Sequence, residues 1–391
     1  MSRLQSRHAV LAAGVAAYFG IRFVQVLIGP LVPAIVDELG TSRGVVGLAL
    51  TGMWVAYALV QLPSGVAAAR HGGRRVALFA CGATAAAGLF VAASPGVAAF
   101  ALAVVALGAG AGLYYNSATA LLAAAFDDLG SAIGLHRLGA QAAGLCAPLV
   151  VAAVSLRYGW RVAVLPGVGA AGLGAVAVLV GTRPVTPARR GESLATVPDA
   201  VRELLAQRAV VGATALASVG EFANVATQAF LPALLVARFG LSVGAAGAAF
   251  AGYFALVGVS QPTTGWLSDR VGRDETLAAT FLAAAVGYAA LAAGETLPAA
   301  GLGVACVAAG MGWPPALQSR VVEGLDADDR DRGFGLVRTG YILLGAFGTA
   351  VVGGVSDLAG WSLAFGTLAV LSAAGALGCL FARRDRRQRR P

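Results

Sequence analysis

Twelve long apolar runs make up most of this chain, and no other feature limits its fold as much. They lie at about 8–36, 43–69, 75–94, 97–125, 131–156 and 161–181, then at about 208–237, 243–268, 275–294, 298–322, 333–356 and 360–382. A helix needs about 20 residues to cross a bilayer. In lipid, a spanning segment must also pair its own backbone N–H and C=O groups, which a helix does unaided. The runs therefore predict membrane-spanning helices. A large soluble core does not account for them: 58% of the 391 residues are apolar, 12% are charged and the mean hydropathy is +0.78. Soluble domains run at about 45–50% and about 25%. Disorder, a disulfide-stapled secreted domain and an ordinary cytosolic enzyme are set aside on the same ground.

Charge then supplies direction. All 28 basic residues are Arg, and the formal net charge is +9. With the N-terminus inside, 20 of them fall in cytoplasmic loops and tails, including Arg70, Arg74, Arg75, Arg270, Arg273 and the run from Arg383 to Arg390. Four fall outside (Arg43, Arg157, Arg161, Arg238), and four lie within or at the edge of a run (Arg22, Arg137, Arg320, Arg338). This positive-inside pattern fits an even number of crossings with both termini cytoplasmic, in the inner cell membrane. The first run carries Arg22 at its centre and no clear small-residue cleavage site, so it reads as a helix rather than a cleaved signal. A basic chain that bound nucleic acid would need a soluble basic face, and none is expected here. Cys81, Cys146, Cys306 and Cys379 sit inside apolar runs without metal-ligand spacing and read as packing residues.

The longest polar stretch, 182–207, reads as a cytoplasmic linker between two bundles, 1–181 and 208–391, the second ending in an Arg-rich tail. Residues 198–207 fit a short amphipathic surface helix. The bundles repeat each other at an offset near 200. Gln61 matches Gln261, Gly65 matches Gly265, Arg70 matches Arg270 and Gly72 matches Gly272. Arg137 matches Arg338 and Trp160 matches Trp361 at 201, while Gln25 matches Asn224 and Pro33 matches Pro232 at 199. The fold class expected is an all-α membrane protein of twelve transmembrane helices in two pseudo-symmetric six-helix bundles, a plan used by secondary transporters.

After the eighth run the chain reads Gly265-Trp-Leu-Ser-Asp269-Arg270-Val-Gly272-Arg273. This resembles the Gly-x-x-x-Asp-Arg-x-Gly-Arg loop signature of the major facilitator superfamily. The first-half copy, Gly65 to Arg75, has Ala69 where the Asp would stand. The resemblance implies that Asp269 reaches the cytoplasmic end of the fifth helix, where Arg137 lies, as a gate between bundles. The symmetric partner of Arg338 would be position 69, and Ala there leaves Arg338 for substrate, gating or another acid. The fourth-helix Arg of many proton-driven drug exporters is missing between Gly96 and Phe126. Their fifth-helix motif is only approximated by Gly139 through Gly144 to Pro148. Both departures count against a drug exporter.

A charge deep in a span costs about 2.5–3.5 kcal/mol on insertion scales and marks function. Arg22 and Glu221 stand at mid-run, at equivalent positions of the repeat. The resemblance implies that their helices, the first and seventh, face each other across a central cavity. Each belongs to a polar stripe at helical spacing, Tyr18, Arg22 and Gln25 on one and Glu221, Asn224 and Gln228 on the other. On the functional reading Arg22 holds an anion in its bidentate fork, and Glu221 takes up and releases a proton. On the alternative reading the two form a constitutive ion pair between halves. Superfamily members that recognise phosphate often carry a second Arg where Glu221 stands, which favours a carboxylate over an organophosphate.

His136 is a second candidate for proton coupling, since imidazole changes charge near neutral pH; a helix-contact role is the plainer reading. Tyr115 and Asn116 belong to a polar cluster, Tyr114 to Thr119, beyond the packing glycines Gly108 and Gly112. Trp313 and Gln318 flank a paired Pro that must kink the tenth run. With Arg338 and Tyr341 on the eleventh, they complete the expected substrate-binding set. Arg320 and Glu323, three apart, are expected to neutralise each other. Gly167-Val-Gly-Ala-Ala-Gly172 matches a dinucleotide fingerprint but lies inside an apolar run with no preceding strand, so it is read as packing. No cofactor, metal or enzyme motif is found. The expected partners are a small-molecule substrate, protons and the lipid bilayer, with the chain acting as a monomer. The expected activity is proton-coupled movement of a small organic anion by alternating access. The alternative is a proton-driven efflux antiporter for drugs or amphiphilic compounds.

Overall fold

The computed structural model describes residues 3–184, 207–323 and 330–388. Most of the expected linker, its surface helix, the side chain of Glu323 and the Arg side chains of the tail lie outside what is described. Among the described residues every regular element is a helix. In the first half these are α1 (Arg3–Leu39), α2 (Arg43–His71), α3 (Gly73–Ala92), α4 (Val97–Gly112), α5 (Tyr114–Ala125) and α6 (Leu129–Gly181). In the second they are α7 (Arg208–Phe239), α8 (Val243–Val271), α9 (Arg273–Ala293), α10 (Leu297–Gly310), α11 (Trp313–Glu323), α12 (Arg330–Gly345) and α13 (Phe347–Gln388).

Among these residues, 10 helical stretches are long and apolar enough to cross a membrane. Two of them are too long for one crossing: Leu129–Gly181 has 53 residues and Gly335–Phe381 has 47. At about 1.5 Å per residue, either would overshoot a hydrocarbon core of about 30 Å. Each breaks at a glycine, Gly159 (φ 78, ψ 168) and Gly360 (φ 81, ψ 172), a backbone region open essentially to glycine alone. Each break divides an overlong stretch into two shorter apolar limbs.

The glycine turns also carry the repeat into the backbone. Six glycines among the described residues have positive φ, and no other residue type does. They form three pairs at the repeat offset: Gly40 with Gly240, Gly72 with Gly272, and Gly159 with Gly360. The turns after the first, second and fifth helices are thus built the same way in both halves. Asp128 caps α6 by accepting from the Ser131 N–H at 3.2 Å. Bonds from Ser131 hold its carboxyl below the usual carboxylate range.

The chain forms two compact units. The first holds the chain up to Thr41 and from Ala49 into the linker; the second holds Ser42–Leu48 and everything after the linker. Lipid offers no hydrophobic drive between helices, so close packing of small residues must hold each unit together. In the first, α1 lies in the hairpin of α6. A Cβ on Gly139 would collide with the Val15 carbonyl, and one on Gly20 with that of Ala170. In the second, Gly345 and Gly348 bring α12 and α13 onto α7: a Cβ on Gly345 would be 2.7 Å from the Cβ of Glu221, and one on Gly348 would strike the Phe222 carbonyl.

The fourth and tenth runs, read above as single helices, are each interrupted. The first break falls between α4 and α5 at Leu113, the second between α10 and α11 at Met311–Gly312. A break exposes a carbonyl that lipid cannot satisfy. In each unit a hydroxyl from the preceding helix pair supplies the bond. Ser64 Oγ donates to Leu113 O, and Thr264 Oγ1 to Gly312 O, both at 2.5 Å.

Candidate functional site

In the first unit, α1 presents Tyr18, Arg22 and Gln25 along one face, as their spacing requires. Arg22 Nη1 donates to Gln25 Oε1 at 2.9 Å, and its guanidinium lies 5.3 Å from the centre of the Trp54 ring on α2. Trp54 in turn meets Tyr57 edge-on. Gln25 is 4% exposed, and its Nε2 has no hydrogen-bond partner among the described residues. A buried amide left unmet costs roughly 1–3 kcal/mol, so this N–H₂ keeps hydrogen-bonding capacity that no described residue meets. Its orientation follows from the Arg22 bond, which takes the oxygen.

One turn away, Tyr18 stacks on His136 of α6 at 4.7 Å and 8° between planes, and on Tyr114 of α5 at 5.8 Å. Tyr115 leans on Tyr18 at 6.0 Å. Tyr114 donates its hydroxyl proton to the Gly14 carbonyl at 2.8 Å, while the same oxygen lies 3.2 Å from His136 Nε2. A phenol has one proton to give, so His136 must donate from Nε2. The imidazole is 1% exposed and bonded, held in a cage of three tyrosines. Arg137, next to it, is half-buried. Asn116 Nδ2 donates to the Gln61 carbonyl at 2.6 Å and so ties α5 to α2. Of the first-half candidates, Tyr18, Tyr115 and His136 form one cluster and Arg22 with Gln25 another, while Asn116 serves a helix–helix bond.

In the second unit, Glu221, Asn224 and Gln228 form a ladder along α7. Asn224 Nδ2 donates to Glu221 Oε2 at 3.3 Å, and Gln228 Nε2 donates to Asn224 Oδ1 at 2.8 Å. The Glu221 methylenes rest against Gly345. Beside it, Gly220 receives the Trp313 indole, which a Cβ there would meet at 2.6 Å. Trp313 packs edge-on against Tyr341 at 5.8 Å. Glu221, Trp313 and Tyr341 are therefore gathered by α7, α11 and α12. Arg338 lies one turn before Tyr341, and Gln318 sits half-buried on α11.

The loop motif is intact as a local structure. Gly272 takes φ 121 between α8 and α9. Arg273 Nη1 bonds Ser268 Oγ at 2.7 Å and also pairs with Asp269. Arg270 lies over the Trp266 ring at 3.9 Å, and Gly265 accepts from Ser268 through its carbonyl.

Arg320 has a partner far along the chain; the Glu323 side chain, its expected neighbour, lies outside the described residues. Arg320 reaches Asp274 Oδ1 of α9 at 3.0 Å, with both side chains about nine-tenths buried. Asp274 was not singled out in the sequence, because its partner is 46 residues away. Tyr114 was noted only as part of a polar cluster; nothing local shows that it links Gly14 to His136. No group of His, Cys, Asp and Glu among the described residues could hold a metal.

The sequence pattern of the Major Facilitator Superfamily matches residues 14–242 and 210–391. No curated protein matches the chain by sequence. Solved structures similar in fold include a bacterial homologue of the human lysosomal transporter Spinster in an inward-facing, occupied conformation. It has 17% identity and a TM-score of 0.80, over 97% of each chain. The nucleoside transporter NupG has 14% identity and a TM-score of 0.82, over 95% of this chain and 99% of its own. A peptide transporter, POT, has 15% identity and a TM-score of 0.77, over 98% of each.

Proposed function

The chain belongs to the Major Facilitator Superfamily, a family of secondary transporters, and from that premise we propose that it moves a small organic anion, such as a carboxylate, together with protons by alternating access. The observation carrying this reading is the Arg22–Gln25 pair. A guanidinium steadied by Trp54 and Gln25 lies beside a buried amide N–H₂ with no acceptor among the described residues. An anion with at least two oxygens meets both donors, because carboxylate geometry matches such a fork. A neutral amphiphile would leave the Gln25 donor unmet, which disfavours the efflux alternative.

The second half of the reading concerns charge. Carrying a bare anion through a low-dielectric path is costly, and a proton travelling with it makes the cargo neutral. Glu221 suits the proton because it is the carboxylate at mid-span, with its Oε2 held by Asn224 and its stem on Gly345. His136 suits the part less well: it is enclosed by tyrosines and its Nε2 is already committed to Tyr114. The fold relatives include a nucleoside transporter and a peptide transporter, so the fold by itself accommodates varied cargo.

The test is a thermal-shift screen of the purified protein at pH 5.5 and 7.5 against mono-, di- and tricarboxylates, amino acids, nucleosides and cationic drugs. The account expects carboxylates to raise the melting temperature, more so at the lower pH. Stabilisation by cationic drugs alone would turn the reading toward efflux.

A further inference from the structure

The turns before α3 and α9 are equivalent in the repeat and opposite in charge. Residues 269–275 hold Arg270 and Arg273 together with three acids, Asp269, Asp274 and Glu275. Arg273 pairs with Asp269, and Asp274 with Arg320. The Glu275 carboxylate folds back over the turn, where a Cβ on Gly272 would run into its Oε2. Residues 69–75 hold Arg70, Arg74 and Arg75 and no acid at all. None of these three pairs with a carboxylate among the described residues. Arg74 gives one N–H to the Leu179 carbonyl of α6, and its buried Nε–H meets no acceptor among the described residues. Arg70 and Arg75 are exposed. Arg74 and Arg75 also stand in the first turn of α3, which has no side-chain cap and no acid. Cations at a helix start are unfavourable on their own, so this end of the first unit lacks an anion that the second unit supplies for itself.

Below Arg75 the same face of α3 turns apolar and stays open. Arg75, Phe79, Gly82, Ala86 and Phe90 follow one another at helical spacing, and all are exposed. Phe79 is 66% exposed and Phe90 67%, while a Cβ on Gly82 would meet nothing. Two rings thus close the ends of a trough floored by Gly and Ala. From Phe79 to Phe90 it runs about 16 Å, close to half of a hydrocarbon core of about 30 Å. The corresponding positions of α9 hold Leu282 and Val286, 57% and 49% exposed. Their side chains fill what the first unit leaves empty.

We propose that the Arg70–Arg75 turn and the trough below it form a seat for an anionic phospholipid. Its phosphate lies against the guanidinium groups and one acyl chain runs along Gly82 and Ala86. Both halves of the seat select for lipid of that charge. A soluble phosphate leaves the trough empty, and a zwitterionic lipid brings a cation back to a place already rich in them. The inference concerns the first unit alone and is independent of the cargo.

The purified chain in detergent is titrated with phosphatidylglycerol or phosphatidylcholine of equal chain length, and binding is read by native mass spectrometry. The wild-type chain is expected to hold phosphatidylglycerol at least fivefold more tightly. Arg70→Gln and Arg75→Gln are each expected to weaken it about fivefold, the contribution of one Arg beside an anionic headgroup, and to leave phosphatidylcholine unchanged. Arg270→Gln, at the counterpart of Arg70, is expected to change it less than twofold. Gly82→Leu with Ala86→Val, which gives the trough the residues of α9, is expected to weaken it at least threefold. Equal affinity of the wild type for the two lipids overturns the seat, as does full phosphatidylglycerol binding in either Arg variant or in the trough variant. A loss in Arg270→Gln as large as that in Arg70→Gln overturns it as well, because attraction would then be diffuse. Displacement of the lipid by millimolar glycerol 3-phosphate would make this a site for soluble phosphate and overturn the lipid assignment.

Discussion

Each half of the molecule has a place where residues of three corresponding helices meet, and the two places differ in chemistry. In the first unit they are Tyr18, Tyr114 and His136, a hydrogen-bonded aromatic cage. In the second, Ala217, Trp313 and Val337 stand on the corresponding helices and lie in one apolar cluster. The backbone around them is shared down to the paired glycine turns. A duplicated frame therefore carries unlike contents, and the residues that break the repeat, rather than those that keep it, mark where the halves took separate tasks.

The joint between the third and sixth helices shows the same divergence. In the first unit Arg161 of α6 reaches Glu38 and the Ser94 carbonyl at 2.9 Å. In the second, Arg238 of α7 reaches the Gly294 carbonyl at 3.2 Å and Ser362. Position 238 is the counterpart of Glu38, and Ser362 that of Arg161. The Arg has changed sides, yet it satisfies the equivalent carbonyl. At the other end, Arg74 of α3 donates to the Leu179 carbonyl at 2.8 Å, whereas its counterpart Asp274 pairs with Arg320.

That last difference should give the largest asymmetry. Asp274→Ala breaks a nearly buried ion pair with Arg320 and is expected to cost about 3–5 kcal/mol. Arg74→Ala removes one bond to a backbone carbonyl and should cost about 1 kcal/mol. Unfolding titrations in detergent would compare them, and equal losses would erase the distinction. The turn glycines should behave in the opposite way. Gly159→Ala and Gly360→Ala meet no neighbour at the Cβ position, so each should cost only the backbone strain, about 1–3 kcal/mol. The two losses should agree closely; a gap above about 1 kcal/mol would mean the turns are not equivalent. The smallest effects belong to Arg161→Ala and Arg238→Ala, each expected below about 1 kcal/mol because both Arg are partly solvated. A large loss in only one would show that the change of sides altered the joint.

Much of the frame was legible in the sequence because it rests on one-dimensional signals. Run length marked the apolar helices, and a common offset marked the repeat. Gly108 and Gly112, read as packing glycines, indeed receive the backbone of α2 at Met53 and Tyr57. What stayed hidden depends on contacts far apart in the chain. Nothing near Arg320 points back to Asp274, and nothing near Tyr114 points both to Gly14 and to His136. The interruptions at Leu113 and Gly312 were likewise invisible as hydropathy, since a break whose carbonyl is met by Ser64 or Thr264 leaves the apolar run intact. The stripes on α1 and α7 were visible because helical spacing alone puts their members on one face.

The central claim is that the first unit supplies the anion's donors and the second the proton's carrier. It is tested most directly by thermal shift with a panel of mono-, di- and tricarboxylates across pH 5–8, in wild type, Arg22→Ala and Glu221→Gln. The account predicts that Arg22→Ala abolishes stabilisation at every pH. It predicts that Glu221→Gln keeps the stabilisation but loses its dependence on pH. Carboxylate stabilisation that survives intact in Arg22→Ala, or that keeps its full pH dependence in Glu221→Gln, would contradict it.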